Sequence, residues 1–310
     1  MRLALIGDIH TYRLLVPPWH LVGKRLIGQA NLWLNRRHRF DHSLANQLIE
    51  RAASIQPDMV LLSGDLTTTS LDGEFSDAAQ MLAPLTERFP TLIVPGNHDR
   101  YTFTSARRRV METLMPGVVP NEWPCFRHLT ERWHLLALDA AVPRIFNSRG
   151  RVGQDQLKKI RRITADLTAQ DGLIVLCHYP LKSPPRALPL TWDHKLADSY
   201  RLRKLLIRCP ARLLYLHGHI HKPWCWQPKQ SNQAHFTYIN AGCPCMTSPK
   251  HPRGQGFWQV DLPDDPTGPL QVTHHLPADK TRGPGSDGHG WLAHTVLSAN
   301  TDPVSDRRAS

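Results

Sequence analysis

The chain has 310 residues, 41% of them hydrophobic, so it is long enough and apolar enough to bury a full core. No run approaches the roughly 18 to 20 consecutive apolar residues of a membrane span, which argues against a transmembrane helix. The formal net charge of +12 indicates an anionic partner, namely a nucleic acid, a phospholipid surface or a phosphorylated substrate. A solvated basic surface without a partner is the plainer alternative.

Hydrophobic periodicity predicts strands that alternate with helices. In chain order these are a strand at 3–7, a helix at 42–55, a strand at 58–65, a helix at 74–88, a strand at 91–99, a helix at 104–115, strands at 124–129 and 133–138, a helix at 154–168, a strand at 172–180, a helix at 194–208 and a strand at 211–221. Two or three further strands are expected between 224 and 261. This order predicts a layered α/β fold with mixed sheets.

The composition changes near Leu262, where periodic apolar residues give way to Pro, Gly, Asp, His and Thr. We therefore expect one domain over residues 1–262 and a mostly disordered tail over 263–310. The apolar stretch at the N-terminus is too short for a signal peptide, so we expect a cytoplasmic protein.

The cysteines do not have the spacing of a disulfide scaffold. They are Cys125, Cys177, Cys209, Cys225, Cys243 and Cys245. Cys243-Pro244-Cys245 together with Cys225 is a weak zinc pattern, and ordinary thiols are the simpler interpretation.

Residues with metal-binding side chains follow the predicted strands at their C-terminal ends. They are Asp8 and His10, Asp65, Asn97, His98 and Asp99, His178, and His217, His219 and His221. Loops at the carboxyl ends of strands converge on a ligand site in α/β sheets, so we expect these side chains to meet. Carboxylates, an amide oxygen and imidazoles suit manganese, iron or zinc, and their number fits two ions.

In this order the motifs resemble those of the calcineurin-like metallophosphoesterase superfamily, whose pattern is DxH, GD, GNHD, H and GHxH. The matching residues are Asp8 and His10, Gly64-Asp65, Gly96-Asn97-His98-Asp99, His178, and Gly218-His219-Ile220-His221. The match spans residues 8–221, and no expected ligand is missing. The resemblance implies an α/β (α+β) fold, a four-layer αββα sandwich with two central mixed β-sheets.

The resemblance also implies two divalent metal ions, with Mn²⁺ as the first expectation and Fe or Zn as alternatives. One ion is implied to be held by Asp8, His10, Asp65 and His221, and the other by Asp65, Asn97, His178 and His219, with Asp65 bridging.

The remaining residues of these motifs have implied or expected roles in catalysis and substrate binding. The resemblance implies that a metal-activated water attacks the phosphate. His98 carries no metal in this family and is expected to protonate the leaving oxygen. Asp99 is expected to orient the imidazole of His98, or alternatively to cap backbone amides. Arg100 and Tyr179 flank ligands and are candidate substrate contacts.

Residues 17–39, called the insertion from here on, are apolar and basic at once. One helical face carries Trp19, Val22, Leu26, Ala30 and Trp33, widened by Ile27 and Leu34, and the other carries Lys24, Arg25, Asn31 and Arg36. This pattern predicts an amphipathic helix beside the active site. It either packs on its own domain with its basic residues in solvent, or it contacts a membrane surface or an acyl chain.

The insertion is also similar, more weakly, to a KRxxGxxN…RR element of one bacterial branch of the superfamily, matched by residues 24–31 and by Arg36-Arg37. That branch includes enzymes that cleave the pyrophosphate of UDP-2,3-diacylglucosamine. The resemblance implies a phosphodiester or pyrophosphate substrate, lipid-linked and met at the inner face of an anionic membrane, with Lys24 and Arg25 as candidate substrate contacts.

A cyclic-nucleotide phosphodiesterase or a nuclease on the same site is the alternative. Basic clusters at 107–109 and 161–162 favour contact with a nucleic-acid backbone, although nucleic acid is the less expected partner. No protein partner is implied.

Overall fold

The computed structural model describes residues 1–21, 23–36, 38–184, 190–229, 235–248, 251, 253–278 and 291–298. Its strands are β1 (Arg2–Ile6), β2 (Met59–Leu62), β3 (Thr91–Ile93), β4 (Cys125–His128), β5 (Trp133–Leu138), β6 (Gly172–Cys177), β7 (Arg212–His217), β8 (Trp224–Trp226), β9 (Phe236–Asn240), β10 (Phe257–Asp261), β11 (Gln271–Pro277) and β12 (Trp291–Leu297). Its α-helices are α1 (Lys24–Asn31), α2 (Ser43–Ser54), α3 (Asp72–Thr86), α4 (Phe103–Arg108), α5 (Val110–Leu114), α6 (Gln154–Ala165) and α7 (Ser199–Arg208).

The strands form two mixed sheets of six strands each. The first sheet has the order β12-β11-β10-β1-β2-β3, and the second has the order β4-β5-β6-β7-β9-β8. In the first sheet β1, β2 and β3 are parallel, and β10, β11 and β12 continue it antiparallel to their neighbours. In the second sheet β5, β6, β7 and β9 are parallel, flanked by antiparallel β4 and β8.

Alternating side chains of β1 show how the layers pack. Leu3 and Leu5 belong to the apolar cluster between the two sheets, whereas Ala4 and Ile6 belong to a cluster with the helices outside the first sheet. A strand buries both faces in this way only when it is covered on both sides. A third cluster lies between the second sheet and helices α6 and α7. The predicted αββα sandwich is therefore confirmed.

The C-terminal part of the chain differs from the prediction of a mostly disordered tail. Residues 271–277 and 291–297 are strands β11 and β12, which extend the first sheet. Composition predicted disorder here because histidine is polar, whereas β11 buries its histidines. His274 stacks on Trp258 at 4.1 Å between ring centroids, and its Nε2 lies 2.9 Å from the Gln255 carbonyl. Residues 279–290 and 299–310 of the expected tail lie outside the described residues.

The insertion is helical, but not as one continuous helix. A 3₁₀ turn at Pro18–His20 comes first, then α1, and then a π-helical stretch at Leu32–Arg36. The predicted helix at 104–115 is likewise two short helices, separated by Arg109 with a left-handed φ of 50°. No helix among the described residues is both long enough and apolar enough to cross a bilayer.

Candidate active site

The seven predicted metal ligands lie in loops that leave the carboxyl ends of parallel strands. Asp8 and His10 follow β1, Asp65 follows β2, Asn97 follows β3, His178 follows β6, and His219 and His221 follow β7. Parallel strands direct their carboxyl ends to the same edge of a sheet, and the two stacked sheets bring both sets of loops together.

The donor atoms of these residues form two groups that share one carboxylate. Within each group the atoms lie no more than 4.8 Å from one another. The first group is Asp8, His10, Asp65 and His221, and the second is Asp65, His178 and His219. Asn97 joins the second group, since its Oδ1 lies 3.1 Å from the Nε2 of His178. The structure therefore brings all seven residues together and gives Asp65 a place in both groups.

Within the two groups, ring nitrogens face one another in a way that fits ligands of a bound cation better than hydrogen-bond partners. The Nε2 atoms of His10 and His221 face each other at 2.9 Å, and the Nε2 of His178 lies 3.1 Å from the Nδ1 of His219. Among the described residues, the buried Nε2 of His219 has no hydrogen-bond partner at all. Lone pairs that converge in this way, beside two buried carboxylates, fit divalent ions with mixed nitrogen and oxygen ligands.

The rings are held by the backbone so that one nitrogen points to the centre. The Nδ1 of His178 lies 2.8 Å from the Ser63 carbonyl, and the Nδ1 of His10 lies 3.2 Å from the Thr67 carbonyl. A neutral ring that donates from Nδ1 presents its Nε2 lone pair, which is the form that binds a metal.

Burial and charge act in opposite directions on the two carboxylates. Burial raises the pKa of Asp8. Burial also disfavours the charged form of Asp65, but the nearby charge of His178, together with His98 and His10, holds its pKa well below the usual range. Burial lowers the pKa of His178, yet Asp65 and Asp8 outweigh it and raise that pKa to about 9. The buried carboxylates thus favour positive charge on the neighbouring imidazole, a charge that bound metal ions would supply instead.

His98 lies partly exposed beside the first group. Its ring is 4.8 Å from that of His10, edge to face, and is stacked on Tyr101 at 5.5 Å. Its Nδ1 lies 2.6 Å from the Thr68 carbonyl, so a neutral His98 carries its proton on Nδ1. Only the protonated ring has an Nε2 proton to give, which matches the role expected for a general acid.

Asp99 does not orient His98, so that expectation is wrong. One of its oxygens accepts hydrogen bonds from the amide and hydroxyl of Thr67, at 3.0 and 3.1 Å. The other accepts from the Gly96 amide at 2.9 Å. The carboxylate shapes the loop that carries Asn97 and His98, which is the capping role left as the alternative.

Arg100 and Tyr179 do not serve as substrate contacts either. Arg100 is buried and makes a two-pronged ion pair with Glu112, at 2.6 and 2.8 Å, and a third bond of 3.1 Å to Asp139. Tyr179 is fully buried and donates its hydroxyl to the Ser148 carbonyl. Its ring packs 4.7 Å from that of His219, so it supports a ligand from behind.

Lys24 and Arg25 face the protein, and only Lys24 stays a candidate for contact with substrate. Arg25 donates to the carbonyls of Thr69 and Ser70, at 3.1 and 2.8 Å, and so anchors the insertion to the loop after Asp65. Lys24 lies 4.3 Å above the ring of Tyr101, and burial lowers its pKa while the charge of Asp65 acts against that.

One residue near the site carries no sequence signal. His194 ends a 3₁₀ turn at Trp192–His194, and its partly exposed ring meets that of His219 at 5.4 Å. The periodicity of residues 194–208 placed His194 inside a helix, and it lies in none of the motifs.

Comparison with known proteins gives a family match over most of the chain. A model of the calcineurin-like phosphoesterase family matches residues 1–223. The chain is 25% identical over 185 residues to a probable cyclic nucleotide phosphodiesterase from Vesicomyosocius okutanii, which covers 58% of this chain and 70% of that protein. It is 36% identical over 72 residues to phosphodiesterase YaeI of Escherichia coli, which covers 23% of this chain and 27% of that protein.

Solved structures share the fold at low sequence identity. A dimetal phosphatase from Danio rerio has a TM-score of 0.60 at 13% identity, covering 87% of this chain and 94% of its own. A purple acid phosphatase from yellow lupin seeds has a TM-score of 0.60 at 14% identity, covering 94% of this chain and 53% of its own. These likenesses concern the fold alone.

Proposed function

This chain belongs to the calcineurin-like phosphoesterase family and is a metal-dependent phosphoester hydrolase, and on that premise we propose that it hydrolyses a phosphodiester or a pyrophosphate at a two-metal centre. The observation that carries the proposal is the shared position of Asp65 in two adjoining groups of donor atoms. A carboxylate placed in this way can bridge two ions.

The residues present fit two divalent ions. Asp8, His10, Asp65 and His221 would hold the first, and Asp65, Asn97, His178 and His219 would hold the second. When bound there, such ions would supply a water of near-neutral pKa and would neutralise charge on the phosphate oxygens. Manganese, iron and zinc all suit this set of ligands, and Mn²⁺ is the first ion to supply in an assay.

Two side chains of the protein act on the substrate itself. His98, with its Nδ1 fixed by the Thr68 carbonyl, gives its Nε2 proton to the leaving oxygen. Lys24 supplies positive charge beside the phosphate, since its ammonium lies over the ring of Tyr101, which stacks on His98.

Hydrolysis of bis(p-nitrophenyl) phosphate, with Mn²⁺, Fe²⁺ and Zn²⁺ supplied separately, tests the centre. Asp65→Asn should reduce turnover at least roughly 100-fold, because even changes outside the direct ligands of a metal cost roughly 10- to 100-fold. Asp77→Asn is the matched control, since Asp77 is a partly exposed residue paired with Arg13. If the two variants turned over alike, the two-metal proposal would be rejected.

We further propose that the substrate is lipid-linked and that the insertion contacts an anionic membrane. The support is the orientation of the insertion. Lys24 and Arg25 face the protein, whereas five large apolar side chains are exposed, namely Trp19 (75%), Leu26 (54%), Ile27 (71%), Trp33 (55%) and Leu34 (71%). Full burial of one such side chain is worth about 1.5–3 kcal/mol, so leaving five in water is costly unless a partner covers them.

Positive charge near this apolar surface favours an anionic lipid surface as the partner over the apolar surface of another protein. The exposed Arg39 ends the insertion, and Arg36 and Arg37 precede it in sequence. Each basic residue near an anionic bilayer contributes about 1 kcal/mol. Aromatic and aliphatic side chains beside cations are the composition of helices that lie in the membrane interface.

Sedimentation with vesicles tests this contact. The chain should sediment with phosphatidylglycerol vesicles and much less with phosphatidylcholine vesicles, and a Trp19→Ser, Ile27→Ser variant should stay in the supernatant. A matched control is Ile145→Ser, Phe146→Ser, which removes two exposed apolar side chains outside the insertion (61% and 94% exposed). Equal sedimentation of the two variants would refute the membrane contact while leaving the hydrolase intact.

A cyclic nucleotide is the second candidate substrate, supported by the name of the relative from Vesicomyosocius okutanii. Turnover of the diacylated UDP-sugar, of its deacylated form and of cyclic nucleotides, measured side by side, separates the two candidates. A nuclease has less support, because Arg108 pairs with Asp72 and Arg109 with Glu112, so these charges are partly neutralised.

A further inference from the structure

Cys243 lies at the metal centre, although none of the motifs includes it. Its sulfur and one ring nitrogen each of His10 and His221 lie within 4.8 Å of one another. His10 and His221 are the two imidazoles of the first group, and their Nε2 atoms face each other at 2.9 Å. A thiol thus borders the position where two histidines already converge.

The fold holds this cysteine firmly in place. Cys243 follows β9 and is fully buried, and its amide donates to the side-chain oxygen of Gln255 at 3.0 Å. The side-chain nitrogen of the same Gln255 donates to the carbonyl of His221, also at 3.0 Å. One side chain therefore fixes the loop of Cys243 and the loop of His221 relative to each other.

The other cysteines of the weak zinc pattern have a different environment. Cys245 packs in the apolar cluster between the first sheet and its helices, and Cys225 packs against the cluster between the sheets. Burial raises the pKa of each of these two thiols to about 12. Among the described residues, neither belongs to a group of metal-binding donors. The two thiols of Cys243-Pro244-Cys245 therefore lie in different places: that of Cys243 at the candidate metal centre and that of Cys245 in the apolar core.

We propose that Cys243 binds the first metal ion as a thiolate beside His10 and His221, and that it shifts the preference of this position from Mn²⁺ to Fe²⁺ or Zn²⁺. Soft thiolate ligands favour zinc and imidazole ligands suit zinc and iron, whereas carboxylate and water ligands suit manganese. Binding releases the thiol proton to solvent and involves no change of oxidation state. The inference rests on the proposed two-metal centre.

Cobalt substitution tests the inference separately from the centre. Co²⁺ bound to the metal-free protein gives visible d–d bands whatever its ligands, and a thiolate ligand adds a sulfur-to-cobalt charge-transfer band in the near ultraviolet. We expect both bands in the unaltered chain. Cys243→Ser should keep the d–d bands and lose the charge-transfer band, and the matched control Cys245→Ala should keep both.

Each outcome is decisive. A charge-transfer band that is missing from the unaltered chain, or that persists in Cys243→Ser, overturns the role of Cys243 alone. A failure to bind cobalt at all overturns the two-metal centre and the inference with it. Metal competition gives a second readout: Cys243→Ser should weaken Zn²⁺ binding at the first position by roughly 10- to 100-fold and change Mn²⁺ binding much less. Equal loss for both ions contradicts the proposed preference.

Discussion

Four of the candidate metal ligands have a left-handed backbone conformation that side-chain-bearing residues rarely adopt. They are His10, Asp65, His219 and His221, with φ of 56°, 52°, 71° and 53°. Such a conformation costs on the order of 1–3 kcal/mol per residue and persists only where the surroundings enforce it. Here the carbonyl of Asp65 accepts the amides of Ile9 and His10, which locks the first two loops together. At these positions the strained backbone turns sharply after each strand, and the four side chains therefore converge.

The effect of replacing His98 is expected to depend on the leaving group. His98→Gln cannot donate a proton, so kcat for a diester with an alkyl leaving group should fall by about 10²- to 10⁴-fold. p-Nitrophenolate leaves without a proton, so turnover of bis(p-nitrophenyl) phosphate should fall far less. His128→Gln, an exposed position on β4, serves as the control. An equal loss on both substrates would show that His98 only supports the site.

At the scale of single residues, the sequence predicted the metal ligands better than their neighbours. Asp8, Asp65 and His219 are recognisable because residue type and position after a strand make them candidates, and the family motifs then separate them from neighbours such as His217. Arg100 could not be assigned in the same way, because its partners Glu112 and Asp139 are 12 and 39 residues away along the chain. Packing across the fold decides which polar group a buried side chain contacts. A local sequence motif therefore does not predict that partner.

The insertion shows the same limit at the scale of an element. A helical wheel predicts an apolar face and a basic face, and of the two alternatives for the apolar face α1 does not show the packing onto its own domain, since Leu26 and Ile27 are exposed. Arg25 turns inward because the carbonyls of Thr69 and Ser70 need donors, and buried carbonyls are rarely left without them. Those carbonyls lie more than forty residues further along the chain, so the wheel contains no information about them.

Gly28 of α1 provides a test of how the insertion supports the active site. A Cβ added there would lie 2.5 Å from the hydroxyl oxygen of Tyr101, whose ring stacks on His98. Alanine favours a helix over glycine by about 1 kcal/mol, so a loss of function would come from the overlap and not from helix propensity. We expect Gly28→Ala to lower kcat by roughly 10- to 100-fold through displacement of His98.

Removing the obstructing hydroxyl should partly restore that loss. In the double variant Gly28→Ala, Tyr101→Phe the oxygen is gone, although the ring carbons stay close, so kcat should recover in part. The two single variants and the double variant form a thermodynamic cycle that isolates the contact. Strictly additive effects would mean that α1 does not act on the site through Tyr101.

Strands β11 and β12 complete the first sheet of the molecule, although the composition of residues 263–310 predicted a mostly disordered tail. In the antiparallel pairing of β11 with β10, Phe257 lies opposite His275 and Asp261 lies opposite Gln271. β12 pairs in turn with β11. The alternation of strands and helices predicted layers with mixed sheets, and the family resemblance added the αββα order. Composition does not predict the end of the domain, because polar residues such as His274 are buried in β11 once hydrogen bonds satisfy them.

His274 should make the whole fold sensitive to acid. Burial lowers the pKa of His274 from 6.5 to about 3, so the folded state keeps this ring neutral. The unfolded state takes up the proton below pH 6.5, and the free energy of unfolding therefore falls by about 1.4 kcal/mol per pH unit as the pH drops from 6.5 towards 3. His274→Gln removes this contribution. The variant should be less stable than the unaltered chain at pH 7, and the gap should narrow by about 2 kcal/mol at pH 5. Urea unfolding at pH 7, 6 and 5 with saturating metal measures both curves, and parallel curves would show that His274 is not held neutral in the sheet.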